Sequence, residues 1–203
     1  MNLTSSNEAV KVLWNQTYHQ IYIANNVIEG LEKSQGISEQ IKDQLTGEAL
    51  AVRGILHFYL SQTFGDVPYI VGTDYLENSK VEKLSSDKVN GMARADLLLA
   101  EKLVSEAYPD AEKVRLNKVA VQAFLARMFL YNQDWVMAQE YAEKVIAKET
   151  YQLEPVENVF LKESKSAIWQ FKPSVNGANT TEAYAHIFTT VPPPNFKLAA
   201  DLI

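Results

Sequence analysis

The 203-residue chain contains no cysteine, which excludes disulfide frameworks, thiolate zinc sites and cysteine nucleophiles together. Its three histidines, His19, His57 and His186, stand far apart and in no metal-ligand spacing. The eight glycines form neither a G-x-G-x-x-G nor a Walker loop, so no nucleotide cradle or other cofactor signature is present. No stretch approaches the ~18 apolar residues of a membrane span, and Met1 to Ser6 lacks the charged-then-apolar order of a signal peptide. Positive charge is outweighed: 19 Lys and Arg against 25 Asp and Glu leave a formal charge of -6. Without a basic stripe to neutralise phosphates, nucleic acid is a poor partner.

Apolar residues are plentiful, at 47% with 10% aromatic, enough to build a core and to exclude disorder. They fall at Val10, Leu13, Trp14, Ile21, Ala24, Ile28 and Leu31, the ladder of one long amphipathic helix. A second ladder starts at Ile41 and Leu45 and becomes apolar on nearly every side by Ile55 to Leu60, which predicts a helix through the middle of the core. Gly65 is a left-handed stop for it, and Pro68 prevents resumption. Asp66 to Lys83 reads as an ordered loop. Ser85, Ser86 and Asp87 offer caps for a third helix through Val89, Leu97, Val104 and Ala107, ended by Pro109. Asn117 caps a fourth helix with Ala120, Val121, Phe124, Leu125, Met128 and Phe129 on its inner face. Asp134 caps a fifth, carrying Trp135, Ala138, Tyr141, Ala142, Val145 and Ile146. Short connections force such helix pairs antiparallel.

The expected fold class is therefore all-α, or mainly α, in helical repeats. Residues 119–150 fit the tetratricopeptide pattern: Leu125, Ala126 and Phe129 on the first helix, and Trp135, Ala138, Ala142 and Val145 on the second. Ala126 and Ala138 lie where two backbones must approach closely. One such unit cannot bury both faces, so neighbours are expected, and the pair at 10–32 and 41–64 reads as a divergent repeat. The helical scaffold would occupy 1–150. Beyond it, 151–203 reads as a loop-rich segment with one short strand at Ala167 to Phe171, and the prolines at 192–194 favour an extended run.

Three stretches together resemble one family. Tyr18-His19-Gln20-Ile21-Tyr22-Ile23-Ala24-Asn25-Asn26-Val27-Ile28 looks like the first helix of the SusD/RagB-type nutrient-binding proteins of Bacteroidetes. Arg53-Gly54-Ile55-Leu56-His57-Phe58-Tyr59-Leu60, followed by Phe64-Gly65-Asp66-Val67-Pro68-Tyr69, looks like that family's signature. The repeat at 117–147 with Ser166 to Phe171 is the third. The resemblance implies a non-catalytic lipoprotein of the outer membrane that captures oligosaccharides, or in some members peptides, at the cell surface. It also implies a partner, a SusC-like TonB-dependent transporter over which such proteins lie as a lid. Family members are roughly twice this length and carry a signal peptide and a lipid-anchoring cysteine. The chain thus resembles the amino-terminal half, with the ligand-binding half incomplete.

The candidate chemistry is sparse. His57 reads as a core imidazole bonded to a carbonyl, and Ser61 at i+4 from it lacks the third partner of a nucleophilic site. Arg53, a charge on an otherwise buried helix, calls for a carboxylate or helix-end carbonyls, with Asp66 a nearby candidate. Trp14, Trp135 and Trp169 read as internal packing residues. Sugar sites pair aromatic faces with amides and hydroxyls, and that mixture occurs at Asn176, Asn179, Thr180, Thr181, Tyr184, His186 and Phe188. These residues are either the ligand site or loop polars with aromatics tucked onto the core. Two rival readings are an intracellular tetratricopeptide-type scaffold gripping a peptide, and a hydrolase, against which the lack of a convergent catalytic set weighs.

Overall fold

Asn7 opens the first helix by accepting a hydrogen bond from the Ala9 amide at 2.9 Å, satisfying one of the N–H groups left over at a helix start. In this computed structural model, which describes residues 7–159, 161–175 and 178, α1 spans Glu8–Lys33 and α2 spans Glu39–Phe64. Trp14, near the start of α1, meets Phe64 at the end of α2 edge-on at 5.1 Å, the mark of an antiparallel hairpin. Gly65 ends α2 at a φ of 76°, which a side chain would resist.

After a four-residue helix α3 (Tyr75–Asn78), α4 runs Ser86–Leu103, α5 Lys118–Tyr131 and α6 Trp135–Ile146. Neighbours in this series pack on one another: α1 on α2, α2 on α4, α4 on α5, and α5 on α6. The fold is mainly α-helical, as the periodicity requires. The α5–α6 pair follows the repeat register, with Ala138 buried and Phe129 stacked on Tyr141 at 5.4 Å. Asn117 and Asp134 cap these two helices, accepting from the Ala120 and Met137 amides.

Close approach of α2 and α4 depends on small residues. A Cβ on Gly54 would stand 2.8 Å from the Ala93 carbonyl oxygen, and one on Gly47 would stand 2.7 Å from Val104 Cγ1. Leu50, Phe58, Val89, Ala93, Leu97 and Leu125 fill the core around this contact.

Four details differ from the sequence reading. No strand forms over 167–171. A strand needs a ladder partner, and here the Ile168 carbonyl accepts from the Tyr108 hydroxyl and the Ala167 carbonyl from the Lys113 ammonium at 2.9 Å. The one β-type pairing among the described residues is an isolated bridge between Val67 and Leu84. Secondly, α4 stops at Leu103 rather than continuing past Ala107, because the Ser105 amide donates to Gln44 Oε1 of α2 and its carbonyl accepts from the Lys118 amide, each at 2.8 Å. Thirdly, Trp135 is 61% and Ile146 78% exposed: α6 buries only Ala138 and Tyr141, and no further helix covers its outer flank among the described residues. Finally, Arg53 pairs with Asp96 of α4 rather than Asp66. Asp66 Oδ1 instead accepts from the Ser86 amide at 3.2 Å, capping α4 from across the loop.

The chain divides into two compact units between Trp169 and Gln170. Residues 151–169 belong with the helices: Trp169 Nε1 donates to the Val114 carbonyl at 2.9 Å, and its ring meets Phe124 edge-on. The described part of the second unit, 170–175 and 178, is irregular.

Candidate ligand pocket

The loop residues read from the sequence as a ligand site, Asn176, Asn179, Thr180, Thr181, Tyr184, His186 and Phe188, lie outside the described residues. The polar residues of α1 and α2 lie within them, and they hold a loop in place. Arg53 forms a two-pronged ion pair with Asp96, Nε to Oδ2 at 2.6 Å and Nη2 to Oδ1 at 2.7 Å, and donates to Asn25 Oδ1 at 3.0 Å. The Tyr69 hydroxyl adds a 2.7 Å bond to Asp96. Asn25 then donates to the Ile70 carbonyl, Tyr18 to the Pro68 carbonyl, and Glu29 accepts from the Thr73 amide and hydroxyl. The segment between α2 and α3 is thus an ordered loop, sewn to the first hairpin by side chains, and the short helix α3 interrupts the stretch expected to be loop throughout.

His57 is fully buried and stacked on Tyr69 at 3.8 Å between ring centroids. Its Nε2 accepts from the Ile70 amide at 3.0 Å, so Nδ1 carries the proton and donates to the Arg53 carbonyl at 2.9 Å. Burial pulls its pKa down to about 4, against the pull of the Arg53 carbonyl and Asp96, and the ring stays neutral. Both nitrogens being engaged, His57 has none with which to take a proton from Ser61, which disposes of that pair as base and nucleophile.

Ser61 faces a different feature. The carboxyl end of α2, the first turns of α4 and the α5–α6 turn border an open surface pocket of about 520 Å³, lined by Ser61, Gln62, Asn90, Arg94, Tyr131 and Gln133 among others. Ser61 is 3% and Asn90 8% exposed, yet Ser61 Oγ and Asn90 Oδ1 have no hydrogen-bond partner among the described residues. Buried polar groups are otherwise almost always paired. Arg94 lies over the Phe129 ring at 5.7 Å, and Tyr131 is steadied edge-to-face against Phe58 at 5.6 Å. Gln133 holds a φ of 61°, tightening the α5–α6 turn that brings it to the rim.

The family model described as "Starch-binding associating with outer membrane", a SusD-like family, matches residues 2–130. The chain belongs to this SusD-like family. Among its relatives, SusD-like protein P25 of Formosa agariphila is 22% identical over 146 residues, covering 71% of this chain and 28% of that protein. A SusD-like carbohydrate-binding protein from Bacteroides fragilis superposes with a TM-score of 0.68 at 26% identity, over 74% of this chain and 29% of its own. A second B. fragilis SusD-like protein gives 0.75 at 23% identity, over 85% and 36%, a likeness of fold. The matched part of the chain spans about a third of these SusD-like relatives' length. Its matched region holds the whole Arg53–Asp96–Tyr69–Asn25 cluster and most of the pocket.

The pocket was not visible from the sequence, although Asn90 carried a signal: it stands beside Val89 and three residues before Ala93, on the buried side of α4, where an amide needs a partner. Arg94, Tyr131 and Gln133 look like ordinary surface residues until the turn brings them together. No cluster of His, Cys, Asp or Glu suited to a metal occurs among the described residues, and no helix there is long and apolar enough to cross a membrane.

Proposed function

We propose that the protein captures a glycan at the outer-membrane surface without making or breaking a bond, and passes it to a SusC-like TonB-dependent transporter. The observation that carries this reading is the family match over residues 2–130, supported by the fold shared at 26% identity with a protein described as a SusD-like carbohydrate-binding protein. The helices supply a rigid scaffold. Ligand contacts are assigned to the amide, hydroxyl and aromatic side chains of Asn176, Asn179, Thr181, Tyr184, His186 and Phe188, where sequence can vary without disturbing the core. A glycan array on the protein should give binding to a restricted set of polysaccharides, and Tyr184→Ala should weaken it about tenfold, the loss of one aromatic stacking contact. Absence of binding to any glycan would defeat the reading, and unchanged affinity would remove Tyr184 from the site. Co-purification with a barrel transporter encoded beside it tests the delivery step.

A further inference from the structure

The geometry points to His57 as an acid-sensitive latch: neutral, it holds the Ile70 amide, and on taking up a proton it lets residues 70–73 detach from α1 and α2 while the helices stay folded.

An imidazole accepts a hydrogen bond only through an unprotonated nitrogen. His57 spends that atom, Nε2, on the Ile70 amide at 3.0 Å, while Nδ1 is turned to the Arg53 carbonyl at 2.9 Å. A proton on Nε2 would set one N–H against another at that distance, so charging the ring and keeping the Ile70 bond exclude each other. The ring is fully buried, stacked on Tyr69 of the loop and edge-on to Tyr18 of α1 at 6.2 Å. The charges that face it are Arg53 of α2 and Asp96 of α4, which act in opposite directions. Asp96 is already taken by Arg53 and Tyr69, so no free carboxylate waits for an imidazolium. Burial keeps the closed form neutral down to about pH 4, and a proton taken up more readily once the stretch lifts away favours the open form as pH falls.

What the latch holds is lightly anchored. Val67 and Tyr69 are core residues, 0% and 4% exposed, but none of residues 70–73 is buried. Beyond His57, they are held to α1 by polar contacts, the Ile70 and Gly72 carbonyls on Asn25 and Thr73 on Glu29. Detaching them exchanges these bonds for water and uncovers little apolar surface, the condition for a local opening of low energy.

The test is amide hydrogen exchange of the full 203-residue chain at pH 7 and pH 5, with and without low urea. Protection of the Ile70 amide should fall about tenfold between the two pH values and should not respond to urea, because a local opening exposes little surface. Leu125 in α5 should respond to urea as the whole fold does. His57→Gln keeps an acceptor and removes the titration, and Ile70 protection in that variant should not change with pH. Glu29 is the other acidic group on the stretch, and Glu29→Gln should leave the tenfold ratio intact. The latch is overturned if Ile70 is equally protected at both pH values, if it follows urea as Leu125 does, if the ratio survives His57→Gln, or if Glu29→Gln abolishes it. Should His57→Gln fail to fold, the imidazole nitrogen shifts of the parent decide: a ring that carries both protons at pH 5 while the Ile70 amide stays protected overturns the latch, and a ring protonated on Nδ1 alone in the protected form upholds it.

Discussion

At the scale of the residue, the most consequential side chain is Arg53. Its guanidinium is almost fully buried with Asp96, their side chains 10% and 12% exposed, and it joins α1, α2, α4 and the loop at Tyr69 through four polar groups. Removing one member of such a pair leaves a buried charge alone, at a cost of about 3–5 kcal/mol. Arg53→Met should therefore lower stability by that much in urea denaturation, and Arg53→Met with Asp96→Leu should recover part of the loss. His57 makes a prediction in pH. Its folded pKa of about 4 lies below the 6.5 of the free side chain, so the unfolded chain binds the extra proton between those values. The contribution is complete above pH 6.5 and is lost as pH falls to about 4, by roughly 3 kcal/mol. His57→Gln should flatten that part of the stability profile, and an equal slope in the variant would place the proton uptake elsewhere.

At the scale of the element, the α2–α4 contact sets the spacing of the scaffold. Alanine is the better helix former by ~1 kcal/mol, so Gly54→Ala would stabilise an isolated α2. In the folded protein the added methyl meets the Ala93 carbonyl at 2.8 Å, and a backbone oxygen cannot swing aside. The variant should be destabilised by about 2 kcal/mol in spite of its helix propensity, which thermal denaturation would show as a lowered midpoint. On the last hairpin, Ala138 is the small residue against α5, and Ala138→Trp should cost roughly 3 kcal/mol through overpacking. An unchanged melting temperature would refute the repeat register. Trp135, three residues earlier and exposed, should accept alanine with little loss.

At the scale of the whole molecule, the helices form a series in which each packs on its neighbour, and the segment after α6 returns to the connection between α4 and α5. That return is held by the Tyr108–Tyr151 pair, by Lys113 on the carbonyls of 164 and 167, and by Trp169 on Val114 and Phe124. Trp169→Ala should release it, seen as faster proteolytic cleavage within 151–168 while the stability of the helical series falls by only about 2 kcal/mol. Cleavage unchanged from the parent would mean that the tyrosines and Lys113 hold the segment without it.

Spacing along the chain was sufficient for the helices, for the Asn117 and Asp134 caps, for the stop at Gly65 and for the close packing of Ala138, because each depends on residues a few positions apart. The stretches around Asn25 and Arg53 were enough for the family. The same spacing could not say that Arg53 would reach Asp96, 43 positions away, that Gln44 would end α4 early, or that Trp135 would face outward, since all three depend on which helix lies across from which. The pocket is of the same kind: Ser61, Asn90 and Tyr131 come from three stretches of the chain, and only the packing of α2, α4 and the last turn brings these residues to one lining.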